Sequence, residues 1–260
     1  MDTTGSFPPP SPIYHFSVDD VFRAFIEVTD RRIPLFSHLF FGFLRELHAE
    51  FGVSIGLHLF FEEHIDGKLR NLTEVANLKK DLAESKSWLF FGPHALSNDI
   101  PPYTQSPKDQ KITFTKIYNE IDRFAGPGRN AKSIRLHHYS ESYELASYFH
   151  KRGVRTLFST DRDVVSHRMS DMVKRQIRAS SYATHNNQQF VRTHFRVEFL
   201  TNDRYDAKKL HAAFKNIHSR YGFLVFYTHE YELERPEVKE MTRKCMEILM
   251  SLSVPSIMQP

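Results

Sequence analysis

The sequence predicts an α/β fold, a single-domain distorted (β/α) barrel with seven or eight mostly parallel strands. Short apolar runs alternate with longer segments of helical period about seven times over the 260 residues, and polar residues recur where the apolar runs end. Strand followed by helix, repeated in this way, is typical of parallel strands joined by helical crossovers. An open doubly wound sheet is the alternative, but no glycine-rich nucleotide-binding loop follows any predicted strand.

The predicted elements follow from the apolar patterning. The predicted strands are 13–20, 53–63, 89–97, 133–139, 154–161, a run within 191–200, and 223–233. The predicted helices are 35–52, 71–88, 107–125, 140–153, 206–222 and 235–252. The alternation is interrupted at 162–205, which we interpret as a loop or hairpin followed by a strand. We expect one barrel domain over 13–255, preceded by a flexible, proline-rich lead-in over 1–12.

The composition limits the classes of protein to consider. The chain is 40% hydrophobic and 25% charged, as a folded soluble protein is. Its net charge of +4 is scattered, so nucleic acid is not a predicted partner. The single cysteine, Cys245, excludes an internal disulfide and a cysteine-based zinc site. We find no apolar run long enough to span a membrane and no secretion signal in residues 1–12, and we therefore expect a cytoplasmic location.

Acids and imidazoles gather at the same end of successive predicted strands. The active sites of such barrels lie at the carboxyl ends of the strands. The residues are Asp19, Asp20, His58, His94, Asn98, Asp99, Arg135, His137, Asp161, His194, Arg196, His229 and Glu230. A single histidine beside apolar residues is usually structural, but a set that recurs at equivalent strand ends predicts a site.

Strand alternation assigns directions to some of these side chains. Arg135 and His137 share one face of their strand and are expected to point into the mouth of the barrel. His229 and Glu230 point opposite ways, and we expect His229 to face the site because Glu230 can begin a solvated face.

The adjacent acids Asp19 and Asp20 fit two interpretations. Asp20, His94 and another histidine would make a carboxylate–imidazole metal site, which lowers the pKa of a bound water toward neutrality. Asp19 could then accept a proton from that water. Alternatively, the two acids cap the segment that starts at Val21, although one aspartate suffices for a cap.

The order of the motifs resembles the polysaccharide deacetylase (NodB-homology) family, carbohydrate esterase family four, over roughly residues 13–233. "FSVDDV" resembles the motif T-F-D-D-G, and "HALSN" stands where H-S/T-x-x-H is expected. "RLHHY" is similar to R-x-P-Y, "STDRD" to an Asp-rich fourth motif, and "VFYTHE" to a final motif with a catalytic histidine. The resemblance implies a distorted barrel that removes acetyl groups from N-acetylated sugars with a divalent metal, zinc foremost, with cobalt, nickel or manganese as alternatives.

The resemblance also implies a role for each matching residue. The implied catalytic residues are Asp19 as general base, His229 as general acid, Arg135 to orient the base, and Asp161. Asp20 and His94 are implied metal ligands. Tyr139 and Arg196 are candidates for substrate contacts.

Three departures from the family pattern bear on the metal. Val21 replaces a glycine, Asn98 stands where the second metal histidine is expected, and His137 replaces a proline. His137 could supply the missing ligand, or Asn98 or Asp99 could coordinate through oxygen. The third interpretation is a weakened metal site.

We favour a metal-dependent hydrolase that removes an acyl group from an N-acylated carbohydrate or cleaves a related C–N bond. His58 and His194 are further candidates for its site. The alternative is a non-catalytic barrel that binds a glycan or a partner protein. A metal-free glycosidase using Asp19 with Asp161 or Glu230 ranks last, because it leaves the histidines idle. A carbohydrate or acylated small molecule is the expected substrate, and a homo-oligomer stays open.

Overall fold

Two β-sheets form the centre of the protein in a computed structural model, which describes residues 13–140, 143–160, 169–201 and 205–256. The strands are β1 (Ile13–Val21), β2 (Ile55–Phe60), β3 (Glu62–Ile65), β4 (Lys68–Asn71), β5 (Leu89–Ala95), β6 (Ser133–Ile134), β7 (Thr156–Ser159), β8 (Tyr182–His185), β9 (Gln188–Arg192), β10 (Phe195–Arg196) and β11 (Phe223–His229). The helices are α1 (Arg23–Arg31), α2 (Leu39–Phe51), α3 (Pro107–Phe124), α4 (Ala146–Lys151), α5 (Asp171–Ser180), α6 (Ala207–Tyr221) and α7 (Pro236–Ser251).

The central sheet has five parallel strands in the order β10-β11-β1-β2-β5. A second sheet has the order β6-β7-β9-β8, in which β8 is antiparallel to β9. β3 and β4 form a separate antiparallel hairpin. One parallel bridge, between Phe91 and Asn130, joins the edge of β5 to the segment that leads into β6.

This architecture confirms the mixed α/β fold with a parallel central sheet, but it corrects the predicted barrel. The central sheet has five strands instead of seven or eight, and over the described ranges the strands do not close into a barrel. The reason lies in β6 and β10, which each pair over only two residues. After β6 the chain leaves the extended conformation and forms a 3₁₀ turn over His137–Tyr139. The hydrogen bonds between β6 and its neighbour therefore end after two residues.

Four predicted helices are confirmed, with ends that differ from the prediction by at most four residues. Gly52 ends α2 with φ 64°, a left-handed conformation that glycine adopts at little cost. Ser106 caps α3 by accepting a hydrogen bond from the Asp109 N–H, and Asp206 caps α6 by accepting one from the Lys209 N–H. The fourth of the confirmed helices is α7, Pro236–Ser251. The predicted helix 140–153 is shorter, because α4 covers only Ala146–Lys151.

The predicted helix over 71–88 was wrong. The segment contains only two short 3₁₀ turns, Leu72–Glu74 and Ala83–Ser85. Its backbone N–H and C=O groups form hydrogen bonds with residues that are distant in the sequence. The Leu78 N–H donates to the Phe124 oxygen, and the Arg123 guanidinium donates to the carbonyl oxygens of Leu72 and Val75. Tertiary hydrogen bonds thus replace the helical ones.

The helices pack an aromatic-rich core against the sheet. Phe25 of α1 contacts the rings of Phe41, Phe91 and Phe124 at centroid distances of 4.8 to 6.0 Å. This cluster fixes α1, and with it the end of β1, against α2, β5 and α3. None of the helices in the described ranges is both long and apolar enough to cross a bilayer.

Candidate metal centre and active site

A β-bulge lets two adjacent acids, Asp19 and Asp20, serve one site. β1 pairs with β2 in register up to Val18, and the register shifts before Val21. Within this bulge Asp20 has φ 58°, a left-handed conformation that aspartate tolerates better than most residues. Successive side chains of a regular strand point to opposite faces. The bulge breaks that alternation, and both carboxylates contact imidazoles, Asp19 that of His58 and Asp20 those of His94 and His137.

Asp20 meets two histidines. Its Oδ1 lies 3.1 Å from His94 Nε2, at the end of β5, and 3.4 Å from His137 Nδ1, in a 3₁₀ turn after β6. The two ring nitrogens lie 3.1 Å from each other. Since these three atoms lie mutually close, they form a three-ligand group of the kind that holds a divalent metal.

The outer nitrogens of both imidazoles fix their tautomers. His94 Nδ1 lies 2.6 Å from the Arg135 carbonyl oxygen, and His137 Nε2 lies 3.2 Å from the Asn98 carbonyl oxygen. A carbonyl oxygen only accepts, so each outer nitrogen carries a hydrogen. In the neutral form of both rings, which is the form that binds a metal, each inner nitrogen carries a lone pair. This is how metal-bound histidines are commonly held by their surroundings.

The buried Asp20 Oδ1 agrees with this assignment, because it has no hydrogen-bond partner of acceptable geometry despite its short contacts. With both rings neutral, three acceptor atoms face one another, and a cation between them would offset their repulsion. The residues present therefore fit a divalent metal held by Asp20, His94 and His137.

Asp19 is held by residues other than the two histidines that contact Asp20. Arg135 Nη1 donates to both carboxylate oxygens at 3.1 Å, and His58 Nδ1 lies 2.7 Å from Oδ1. Arg135 also donates to Ser17 at 2.9 Å and stacks on the Tyr227 ring at 4.0 Å. Burial opposes ionisation of Asp19, but Arg135 and His58 hold its pKa well below the usual range. Asp19 is thus a fixed, buried carboxylate.

A second cluster with metal-ligand spacing contains Asp19, His58 and His94. His58 turns its Nδ1 to Asp19, and its Nε2 lies 3.5 Å from the Ser133 carbonyl oxygen. Its Nδ1 is therefore engaged as a donor, and His94 already belongs to the Asp20 group. We interpret this second cluster as a hydrogen-bonded support of the Asp19 carboxylate.

His229 ends β11 and belongs to a carboxylate–imidazole pair that the sequence did not indicate. Its Nδ1 lies 2.5 Å from Glu198 Oε1, so the Nδ1–H donates to the carboxylate. Nε2 lies 3.8 Å from Asp20 Oδ2, beyond hydrogen-bond distance. Glu198 also accepts hydrogen bonds from Arg196 at 2.5 Å and from the Thr228 hydroxyl at 3.1 Å.

Several predicted site residues lie outside these groups. The Asn98 side chain donates to Asp99, and only the Asn98 backbone oxygen contacts His137. His194 accepts a hydrogen bond from the Val225 N–H and stacks near Tyr221, away from the three ligands. Asp161 lies outside the described residues. Tyr139 and Arg196 both line a cavity beside the site.

Glu230 corrects two expectations. It is buried instead of beginning a solvated face, and its two oxygens accept hydrogen bonds of 2.7 Å from the backbone N–H groups of Phe22 and Ala24. It therefore caps the start of α1, where Phe22 offers no side-chain cap. The alternative interpretation of Asp19 and Asp20 as caps of this segment is wrong, because Glu230 performs that function.

Comparison with solved structures supports the family resemblance in fold. A protein from Mycobacterium smegmatis assigned to the polysaccharide deacetylases aligns with 97% of this chain and 88% of its own, at TM-score 0.58 and 11% identity. A mutant of a CE4 family pseudoenzyme aligns with 96% of this chain and 67% of its own, at TM-score 0.52 and 10% identity. The chain has the polysaccharide deacetylase fold.

The same fold also occurs in proteins with other activities. The 4-α-glucanotransferase of Thermococcus litoralis aligns with 95% of this chain at TM-score 0.55 and 13% identity, and this chain spans 39% of its length. No protein-family model and no curated protein sequence matches the chain. At such identities the polysaccharide deacetylase likeness establishes the architecture, and the chemistry must be argued from the site.

Proposed function

We propose that the protein is a metal-dependent hydrolase that removes an acyl group from the nitrogen of an N-acylated carbohydrate. The observation that carries the proposal is the convergence of Asp20 Oδ1, His94 Nε2 and His137 Nδ1, three possible metal-ligand atoms, of which the buried carboxylate oxygen has no hydrogen-bond partner. A divalent metal held there would polarise the acyl carbonyl and lower the pKa of a water molecule. The polysaccharide deacetylase fold supports the carbohydrate substrate.

We assign the proton transfers to His229. With its Nδ1–H held by Glu198, His229 can take a proton at Nε2 from the attacking water as the C–O bond forms. It then gives this proton to the nitrogen as the C–N bond breaks. Glu198 stabilises the imidazolium between the two steps and keeps the ring oriented.

We assign Asp19 an electrostatic and positioning role, which departs from the general-base role implied by the family resemblance. Both of its oxygens already accept hydrogen bonds, and only 2% of its side chain is exposed. To take a proton from water, Asp19 would have to give up a bond to Arg135 or His58. As a fixed carboxylate it instead anchors Arg135 and places a negative charge beside His94.

The experiment measures the metal content of the protein and its release of acetate. The purified chain is loaded with Zn²⁺, dialysed and analysed for metal, and acetate release from N-acetylated oligosaccharides is then measured. We expect about one zinc per chain and zinc-dependent acetate release, and we expect both to be lost in Asp20→Asn. Absence of bound metal in the wild type would overturn the proposal.

A second candidate function is glycan binding without turnover. It is favoured by one observation, namely that the Asn98 side chain takes no part in the ligand group although the family places a histidine there. The same experiment separates the two. Bound zinc without acetate release, together with saturable oligosaccharide binding, would favour the non-catalytic barrel.

A further inference from the structure

Glu63 lies on β3, and its carboxylate reaches from the β3–β4 hairpin to the backbone beyond β5. Its Oε1 accepts a hydrogen bond from the Asn98 N–H. Burial raises the pKa of Glu63, the Asn98 N–H opposes that rise, and the carboxylates of Asp99 and Asp20 add to it. These surroundings disfavour a charge, and the bond to Asn98 is the main contact that offsets them. Solvation of the carboxylate therefore does not explain its position.

The cation opposite Glu63 in the hairpin binds other carboxylates. Glu63 and Arg70 are directly paired across β3 and β4, where opposite charges commonly bind each other. Arg70 instead donates to both oxygens of Asp30, on α1, at 3.0 Å, and to Glu74 at 2.5 Å. These bonds fix the hairpin against α1. They leave the Glu63 carboxylate to the Asn98 N–H.

Asn98 lies in a tight turn that follows β5. The Ile100 N–H donates to the Ser97 oxygen at 3.3 Å, which encloses Asn98 in the turn. The same hairpin is joined to the start of this segment, since the Glu62 N–H donates to the Leu96 oxygen at 2.9 Å. The hairpin therefore holds the turn through a backbone bond at its start and a side-chain bond within it.

The turn presents a carbonyl oxygen to one of the assigned metal ligands. The Asn98 carbonyl oxygen lies 3.2 Å from His137 Nε2 and accepts its hydrogen. His137 lies in a 3₁₀ turn, and the β6 ladder ends before it, at Ile134, so it lies outside the strand pairings of the described residues. The hydrogen bond to Asn98 therefore orients the imidazole, whose other nitrogen faces Asp20 and His94.

From these contacts we propose that Glu63 is a positioning residue for the metal ligand His137. By holding the Asn98 N–H, its carboxylate fixes the turn whose carbonyl oxygen orients the imidazole. The inference rests on the proposed function, because it concerns the ligands of the same metal. It explains how residue 98 can support the site through its backbone while its side chain is not a ligand.

The experiment measures the zinc affinity of the full chain by competition against a chromogenic chelator. Glu63→Ala should lower this affinity about tenfold, the lower end of the range typical for loss of a group that supports a ligand, since Glu63 acts through Asn98. Glu63→Gln keeps an acceptor oxygen without the charge and should stay within about threefold of the wild type.

Two further variants complete the comparison. Glu63→Asp keeps the charge but withdraws the acceptor by one methylene, so it should lose zinc affinity as Glu63→Ala does. Glu62→Ala is the matched control, because it removes a carboxylate from the neighbouring position of β3 and keeps the backbone bond to Leu96. We expect its zinc affinity to equal that of the wild type.

Equal losses in Glu63→Ala and Glu63→Gln would show that the charge of Glu63 acts on the metal directly, and would overturn the inference. Unchanged affinity in Glu63→Ala and Glu63→Asp, or an equal loss in the control, would overturn it too.

If the wild type binds no zinc, the proposed function fails, and nitrogen NMR of the His137 ring in the metal-free protein tests the positioning alone. At a pH where the ring is neutral, we expect the Nε2–H tautomer in the wild type and in Glu63→Gln. Glu63→Ala should show a mixture of tautomers. The same tautomer in all three proteins would contradict the inference.

Discussion

His94 Nε2 and His137 Nδ1 lie 3.1 Å apart, and each ring turns its other nitrogen toward a backbone carbonyl oxygen. Two neutral imidazoles held in this way have no hydrogen to place between them. The arrangement is stable with a cation between the rings, or with one ring protonated against Asp20. It gives His137 the ligand position that the family pattern would assign to residue 98.

The first prediction compares His137 with Asn98. His137→Gln should lower zinc affinity by more than the 10- to 100-fold that is typical for loss of a group supporting a ligand, because it removes a ligand itself. Asn98→Ala should leave zinc affinity unchanged, since only the backbone oxygen of Asn98 contacts His137. Competition for zinc against a chromogenic chelator measures both. Loss of zinc in Asn98→Ala with retention in His137→Gln would reverse the assignment.

The second prediction separates His229 from Asp19. His229→Gln should lower kcat by about 10²- to 10⁴-fold while leaving zinc content and thermal stability near those of the wild type. Asp19→Asn should act first on stability, because Arg135 and Asp19 are both buried and breaking such a pair costs roughly 3–5 kcal/mol. Urea unfolding and steady-state kinetics, run on both variants, give the two quantities.

A different result would change the roles assigned to Asp19 and His229. An Asp19→Asn variant that is as stable as the wild type but has lost activity would identify Asp19 as the general base. In that case His229 would keep only the role of general acid.

The third prediction concerns His58, which donates to Asp19 from β2. His58→Asn keeps an N–H near the position of Nδ1 and should retain activity within a few-fold, whereas His58→Leu should lower kcat by about 10- to 100-fold. Zinc content should be the same in both variants, because His58 is not one of the three assigned ligands. Equal losses of activity in the two variants would show that His58 serves packing alone.

The fold class could be predicted from the sequence because it depends on alternation. The runs that became β1, β2, β5 and β11 are apolar, and the helices α1, α3 and α7 come after β1, β5 and β11; such patterns survive folding. The closed barrel could not be predicted reliably, since closure depends on β6 and β10. Each of these strands pairs with its neighbour over only two residues, and this limit depends on contacts between residues far apart in the sequence.

The site could be predicted in part for a similar reason. Asp20 and His94 come together because the carboxyl ends of β1 and β5 lie on the same side of the sheet. The contact of His137 depends instead on a 3₁₀ turn in which His138 and Tyr139 have φ values of 52° and 51°. No periodicity indicates such a turn. Glu198 was missed because it too lies in a 3₁₀ turn, Val197–Phe199, and pairs with a residue 31 positions away.

The last prediction concerns pH and the cap of α1. Burial raises the pKa of Glu230 to about 8 from a usual value of 4.5, even though the N–H groups of Phe22 and Ala24 favour its charged form. A raised pKa means that the folded state binds the proton more tightly than the unfolded state does. The stability contributed by this proton is fully present below pH ~4.5 and is lost as the pH rises to about 8.

Wild-type stability should therefore fall relative to Glu230→Gln between these limits, by up to about 1.4 kcal/mol per pH unit. Urea unfolding of both proteins at pH 5, 6.5 and 8 measures the difference, and the glutamine variant controls for every other titrating group. A difference that grows in favour of the wild type as the pH rises would show that the two N–H groups and the positive end of α1 outweigh burial. Glu230 would then cap the helix as a carboxylate throughout this range.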